Sequence, residues 1–235
     1  MIMSRQQSQP QARRLSSKGT KRPLIARAKP FVPAKPFAPG TSGWTVADLD
    51  DPLIEGKWFA GGFEIIEGVL TAMPPAYYDG SSRVNRLIRR IEQFESRKKR
   101  VADFSHDADI VIDDQRVVRA DVVLLTPSDT ARFKAAAIKA GKTETGRQRI
   151  YAPPTLVIES ASEGHQAHDR KTKFKWYAEF GVPNYWIFEP LKKSLDCFVL
   201  RRGKYHLVAS GTAPAKVAVP LFDGLRIDLK AIFKD

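Results

Sequence analysis

The chain has 235 residues, 43% of them hydrophobic, and carries 39 Lys and Arg against 26 Asp and Glu, a formal net charge of +13. That length and apolar content suffice for one sizeable core. The single cysteine excludes an internal disulfide and fits a reducing, cytoplasmic setting, no apolar run approaches the ~18 residues that span a membrane, and so large a positive surplus points to a polyanionic partner such as nucleic acid.

The opening MIMSRQQSQPQARR lacks the apolar stretch of a secretory signal. Residues 1–40 hold nine Lys and Arg, six Pro and no acid. Such a composition cannot bury enough surface to offset its ordering entropy, so residues 1–43 are expected to form a disordered basic arm, extended and polyproline-like through the echo AKPFVP–AKPFAP. One folded domain is expected from residue 44 to 235. GKWFAGGFEIIEGVLTAMPPA has the aromatic and β-branched content, glycine punctuation and Pro-Pro stop of a β-hairpin or meander. From Ser81 to Lys99 the spacing turns helical, with Val84, Leu87, Ile88, Ile91 and Glu95 on one face and Arg86, Arg89 and Arg90 on or beside the other.

DADIVI and RADVVLL read as strands joined by the polar turn DDQR. Residues 128–140 are predicted to be helical, with Ser128 as N-cap, Gly141 as stop, and Lys134, Lys139 and Lys142 making the surroundings basic. The apolar TLVI forms a strand with Glu159 at the point where it leaves the core. A helix spans roughly Asp169 to Phe180, ended by Gly181 with Pro183 beyond. NYWIFEP is a strand, SLDCFVLRRGKYHLVAS a hairpin turning at Gly203, and VAVPLFDGLRIDLKAIF a strand with a short terminal helix. This order predicts an α/β or α+β domain built on a mixed sheet.

Two carboxylates stand out. Asp121 lies near the beginning of its strand and Glu159 near the end of its own, so antiparallel pairing would set them side by side on one face at one edge of the sheet. Such acids repel unless a positive charge lies between them, and a hard divalent cation fits oxygen ligands. Capping a loop or pairing with an arginine are the ordinary alternatives. Asp169 and Lys173 lie one helical turn apart, and on spacing alone a surface ion pair is the better account of them. Lys173 also borders the apolar face made by Phe174, Tyr177 and Ala178, from which it can reach along the sheet edge toward the two acids. His165, His168 and Asp169 raise a zinc reading that one distant cysteine does little to support. Cys197 reads as a buried hydrophobe.

From about Phe63 to Leu207 the chain resembles the Uma-two family of restriction-endonuclease-like proteins, a branch of the PD-(D/E)XK nuclease superfamily. The most specific match is IESASEGHQAHDRKTKFKWYAEFGVPNYWIFEP, through Glu159, Ser162, Asp169, Lys173, Tyr177, Gly181, Val182, Pro183, Tyr185, Trp186 and Ile187. FEIIEGVLTAMPP resembles the family's opening hairpin through Glu64, Gly68, Met73 and Pro75. DADIVIDDQRVVRADVVLL resembles its central hairpin through Asp109 and Asp121. The resemblance implies an α/β, restriction-endonuclease-like αβββαβ core with a mixed sheet and extra hairpins at both ends. It implies an endonuclease acting on DNA, with RNA left open, and Mg²⁺ or Mn²⁺ held by Asp121 and Glu159 with a backbone carbonyl near Ser160. The superfamily's lysine two residues after the glutamate is replaced here by Ala161. In this branch the following helix supplies it, which makes Lys173 the expected catalytic lysine, supported by Asp169, Glu64 and Asp109. Arg86, Arg89, Arg90, Lys134 and Lys171 are the expected grips on nucleic acid. A homodimer is left open, as is the runner-up function, a protein that keeps the nuclease fold but holds nucleic acid without cutting.

Overall fold

Aspartate at an N-cap followed by proline is a strong start signal, and it opens the first helix: Asp51 accepts from the Leu53 amide and Pro52 occupies the first turn of α1 (Pro52–Ala60). The expected hairpin over residues 56–76 is therefore shorter than the aromatic content suggested. Trp58 belongs to the helix, and only β1 (Phe63–Ile66) and β2 (Val69–Ala72) form the hairpin. In the computed structural model the described residues are 35–73, 78–142, 149–160 and 169–234, with backbone alone at 78–81 and 169–170. Most of the expected basic arm lies outside them.

The expected boundary of that arm at residue 43 moves up-chain, because residues 35–43 pack on the domain. The Gly40 amide donates to the Leu70 carbonyl and the Leu70 amide to the Thr41 carbonyl. Phe37 meets Trp44 and Phe63 edge-on, at ring separations of 5.5 and 4.9 Å. One partly buried aromatic anchors a stretch whose averaged composition reads as disordered.

The remaining elements are α2 (Tyr78–Arg97), β3 (Asp103–Asp113), β4 (Arg116–Leu125), α3 (Pro127–Lys139), β5 (Leu156–Ser160), a π-turn (Asp169–Lys173) running into α4 (Phe174–Phe180), β6 (Asn184–Glu189), β7 (Ser194–Arg201), β8 (Lys204–Thr212), β9 (Lys216–Ala218), β10 (Arg226–Asp228) and α5 (Leu229–Ile232). The N-cap of α3 is Thr126 rather than the expected Ser128. Thr126 and Asp129 form a reciprocal capping box with Pro127 in the first turn, a pattern that outranks a serine one residue inside the helix. Gly181 ends α4 at φ 91°, and Arg202–Gly203 turn β7 into β8 with φ of 50° and 75°, the left-handed pair that a two-residue hairpin requires.

The main sheet runs β2-β1-β4-β5-β6-β7-β8, with β3 on the other edge of β4. It is a mixed sheet in which the β5–β6 pair is parallel and the others are antiparallel. Helix α2 covers one face through Val84, Leu87, Ile88 and Ile91, packed with Ile158, Trp186 and Phe188. Helices α3 and α4 cover the other through Phe133, Trp176 and Tyr177, packed with Val157, Tyr185 and Ile187. Trp44, Trp58, Ile65 and Val117 form a third core beneath α1. Glu95, at the end of the apolar face of α2, is buried against Arg100 at 2.6 Å. No helix among the described residues is long and apolar enough to cross a membrane.

Candidate active site

A strand in a sheet has two edges, and one edge of β4 is shared. Ile65 of β1 pairs with Val117 near its start, and β5 pairs near its end through Val122↔Ile158 and Val123↔Val157. Between them the sheet forks, and the backbone of β4 needs other partners. Side chains supply them. The Arg119 amide donates to Glu64 Oε1 at 2.8 Å, and Lys173 Nζ donates to the Arg119 carbonyl at 3.2 Å. The Ser160 amide, at the end of β5, donates to Asp121 Oδ2 at 2.6 Å.

One step beyond the paired residues, that register sets Asp121 opposite Glu159. Opposite residues share a face and bring their Cβ atoms within about 5 Å. Their neighbours in register, Val123 and Val157, pack beneath α4, so both acids point to that side. There Tyr177 donates its hydroxyl to Glu159 Oε1 at 2.7 Å. Lys173 Nζ lies 2.9 Å from Glu64 Oε1 and 3.6 Å from Glu159 Oε2. Lys173 and Glu64 are each only 4% exposed, and Glu159 is 8% exposed.

Three acids crowd one ammonium in a place with little water. Burial lifts the Glu159 carboxyl from 4.5 to about 8; Lys173 and the Tyr177 hydroxyl oppose the rise, while Asp121 and Glu64 add to it. Burial likewise lifts Asp121 from 3.8 to about 6 against Lys173 and the Ser160 amide, with Asp107 and Glu64 adding to the rise. Tyr177 is pushed well above 10, by burial first and then by the Glu159 charge, so it remains a donor. Among the described residues no group of three or more acids, histidines or cysteines is arranged to enclose a metal ion. Two facing carboxylates and the adjacent Ser160 carbonyl nevertheless suit Mg²⁺, which keeps several of its waters and seldom takes an all-protein cage.

The expected residues separate into groups. Asp121, Glu159, Lys173 and Glu64 come together at the fork. Asp109 does not. It faces the α1 side of the sheet, where it accepts from Arg119 Nε at 2.8 Å and Trp58 Nε1 at 2.5 Å, with Arg149 Nε at 3.9 Å. Asp169 opens the π-turn, and its side chain lies outside the described residues, as do His165 and His168. Lys171 and Lys134 are exposed on the α4 and α3 side of the sheet, the side of the acids. Arg89 and Arg90 are exposed on α2, across the sheet, while Arg86 is tied to the C-terminal carbonyls of Ile232 and Lys234. Cys197 is buried, and burial raises its thiol far above the usual range.

Two contributors to the fork, Tyr177 and Asp107, escape a reading of the sequence. By spacing and resemblance Tyr177 reads as part of the apolar face and of the family match, and a tyrosine four residues after the lysine is the one signal of a buried donor there. Asp107 adopts the left-handed conformation at φ 51° and interrupts the β3–β4 ladder across from Asp121.

A family described as "Putative restriction endonuclease" has a sequence profile that matches residues 61–230. Among solved structures, the crystal structure of a putative nuclease belonging to DUF820 from Anabaena variabilis superposes with a TM-score of 0.56 at 17% identity, covering 74% of this chain and 90% of that one. At that identity the likeness speaks for the fold, which is restriction-endonuclease-like. No curated protein matches at comparable strength.

Proposed function

This chain belongs to the Uma2 family, described as "Putative restriction endonuclease", and on that footing we propose that it is a metal-dependent endonuclease that hydrolyses phosphodiester bonds in DNA. The observation that carries the proposal is the fork itself: Asp121 and Glu159 face one another with raised pKa values, beside a buried ammonium and next to the Ser160 carbonyl. Asp121, Glu159 and the Ser160 carbonyl would hold Mg²⁺ or Mn²⁺. Bound there, the ion supplies Lewis-acid stabilisation at phosphorus and acidifies water.

The chain's own residues do the rest. Tyr177 donates to one oxygen of Glu159, and the other oxygen lies 3.6 Å from Lys173 Nζ. Glu64 and the Arg119 carbonyl hold Lys173 in place, so its position is set before substrate arrives. Preorganised charge of this kind costs no rearrangement during the reaction. Lys173 orients the attacking water and offsets negative charge as it builds on the phosphoryl oxygens. Lys171 and Lys134, on the same side of the sheet, and the basic residues of 1–34 add phosphate contacts.

Supercoiled plasmid incubated with the full chain and Mg²⁺ or Mn²⁺ should be nicked, and EDTA should stop it. Parallel reactions on single-stranded DNA and on RNA test the substrate class. Cutting that persists in EDTA would reject the metal, and intact DNA beside degraded RNA would reject the substrate. Binding without cutting of any nucleic acid would select the runner-up, a non-cleaving protein on a nuclease fold.

A further inference from the structure

We propose that the groove between α2 and the C-terminal β9–β10–α5 unit is a second nucleic-acid contact, a phosphate track across the sheet from the acidic fork. The proposal extends the nuclease reading above and rests on the same polymer substrate. The groove has a volume of about 370 Å³ and is lined by Arg90, Phe94, Arg97, Leu225, Arg226 and Asp228, among others. Helix α2 packs on the face opposite α4, so this lining does not belong to the Asp121–Glu159 site.

The groove gathers uncommitted charge around an apolar floor. Arg100, Arg116, Arg119 and Arg132 each pair with a carboxylate, and Arg86 donates to two carbonyls. Arg90, Arg97 and Arg226 have no such partner among the described residues, and all three are exposed. The one acid in the lining is already engaged: Asp228 Oδ1 accepts from the Ala231 amide at 3.1 Å, and its other oxygen lies 3.7 Å from Lys216. Three guanidiniums that line one groove, beside a single carboxylate already engaged, favour an anion that joins them.

The groove is also built. Lys98 donates to the Asp223 carbonyl and lies 4.5 Å from the centre of the Phe94 ring, which ties the Asp223–Gly224 turn to α2. Phe94 and Leu225 provide an apolar floor between the charges. Arg90 and Arg97 are seven residues apart on the helix, or about 10 Å at 1.5 Å per residue. At 3.4 Å per nucleotide along a duplex strand, that spacing covers roughly three nucleotides. A nucleic-acid backbone meets both ends at once, whereas a single phosphate ion reaches one.

The test is binding of a fluorescent 30-base-pair duplex (length about three helical turns) to the full chain in EDTA, over a salt series. The variant is Arg90→Gln/Arg97→Gln/Arg226→Gln. The control, Arg201→Gln/Arg202→Gln/Lys204→Gln, removes the same charge from the exposed β7–β8 turn. The groove variant should flatten the slope of log affinity against log salt by about 2.7, three contacts at 0.9 each, and the control should flatten it far less. Equal flattening in both variants, or none in the groove variant, overturns the proposal. Displacement of the duplex by a mononucleotide at equal phosphate concentration also overturns it and assigns the groove to free nucleotides. Because the readout is binding without metal, a chain that binds through the groove but never cuts would reject the nuclease reading alone. A chain that cuts with an unaltered slope would reject the groove alone.

Discussion

Two buried ionic clusters sit back to back on β4, and Arg119 belongs to both. On the α1 side its guanidinium meets Asp109, with Arg149 and the Trp58 indole beside it. On the α4 side its backbone amide and carbonyl are held by Glu64 and Lys173, next to Glu159 and Asp121. The first cluster sets one acid against two guanidiniums and one indole. The second sets three acids against one ammonium. Both are buried, yet the surplus has opposite sign, and only the second stands to gain from a further cation. Burial and charge pairing alone do not mark a site. What separates the two is a local deficit of counter-charge at a place where the sheet opens.

Removing an acid from each cluster separates them most sharply. Asp121→Asn or Glu159→Gln should lower cleavage by at least ~1000-fold, the upper range for loss of one preorganised electrostatic group. Above pH 8, where both carboxyls are ionised, thermal unfolding of either variant should occur at or above the wild-type temperature, because one crowded charge is gone. Normal cutting by either variant would move the site elsewhere. Asp109→Asn should do the reverse. It leaves buried guanidiniums short of a partner and should cost about 3 kcal/mol in a denaturant titration, within the range for breaking a buried pair. Its activity per folded molecule should stay near wild type, and a specific loss of rate would join Asp109 to the catalytic group.

Lys173 stands between these extremes. Lys173→Met should lower the single-turnover rate by ~100-fold, as for loss of a transition-state contact, with duplex affinity nearly unchanged. It should also destabilise the fold, since Glu64 and Glu159 lose their shared partner. Lys173→Arg keeps the charge, so it should restore stability more fully than rate. Equal recovery of both would make the residue a stitch for the forked sheet rather than a participant in the chemistry. Glu64→Gln should cost less, roughly tenfold in rate with affinity preserved, as expected for a residue that positions Lys173 and touches no substrate.

The smallest effect is on pH dependence. Glu159 titrates near 8 and Asp121 near 6 in the metal-free fold, both above their ordinary 4.5 and 3.8. The folded state therefore binds these protons more tightly than the unfolded chain does. The sign follows: stability without metal falls as pH rises from about 4 to about 8, and the loss is complete above the folded pKa of Glu159. Glu159→Gln should flatten that decline. Divalent binding must displace the same protons, so calorimetry at pH 7 in buffers of different ionisation enthalpy should register proton release that the variant lacks. Stability that rises over this interval would contradict the burial of the pair.

Much of the fold was legible because it is written in local patterns. The period of Val84, Leu87, Ile88 and Ile91 marked α2, the Gly203 turn marked β7–β8, and the Gly181–Pro183 stop marked the end of α4. The reading of Asp121 and Glu159 as neighbours needed only strand alternation and an antiparallel pairing, and β4 and β5 do pair antiparallel. Helix α1 was missed because its start lies in Asp51–Pro52, upstream of the aromatic residues that resemble a strand. The expected arm extends too far because composition averages over residues, whereas Phe37 acts alone.

The sequence by itself determined which residue types could do the chemistry and which short segments would carry them, since periodicity, capping and turn preferences depend on near neighbours. It could not show that β4 shares one edge between β1 and β5, because that choice rests on pairings between residues far apart in the chain, Ile65 with Val117 and Val122 with Ile158. The tertiary structure decided it. Once the sheet forks, the Arg119 backbone requires partners, Glu64 and Lys173 provide them, and Asp109 is left on the opposite face. A buried polar group must be satisfied by whatever the fold brings near it, and nothing in the spacing of the chain says what that will be.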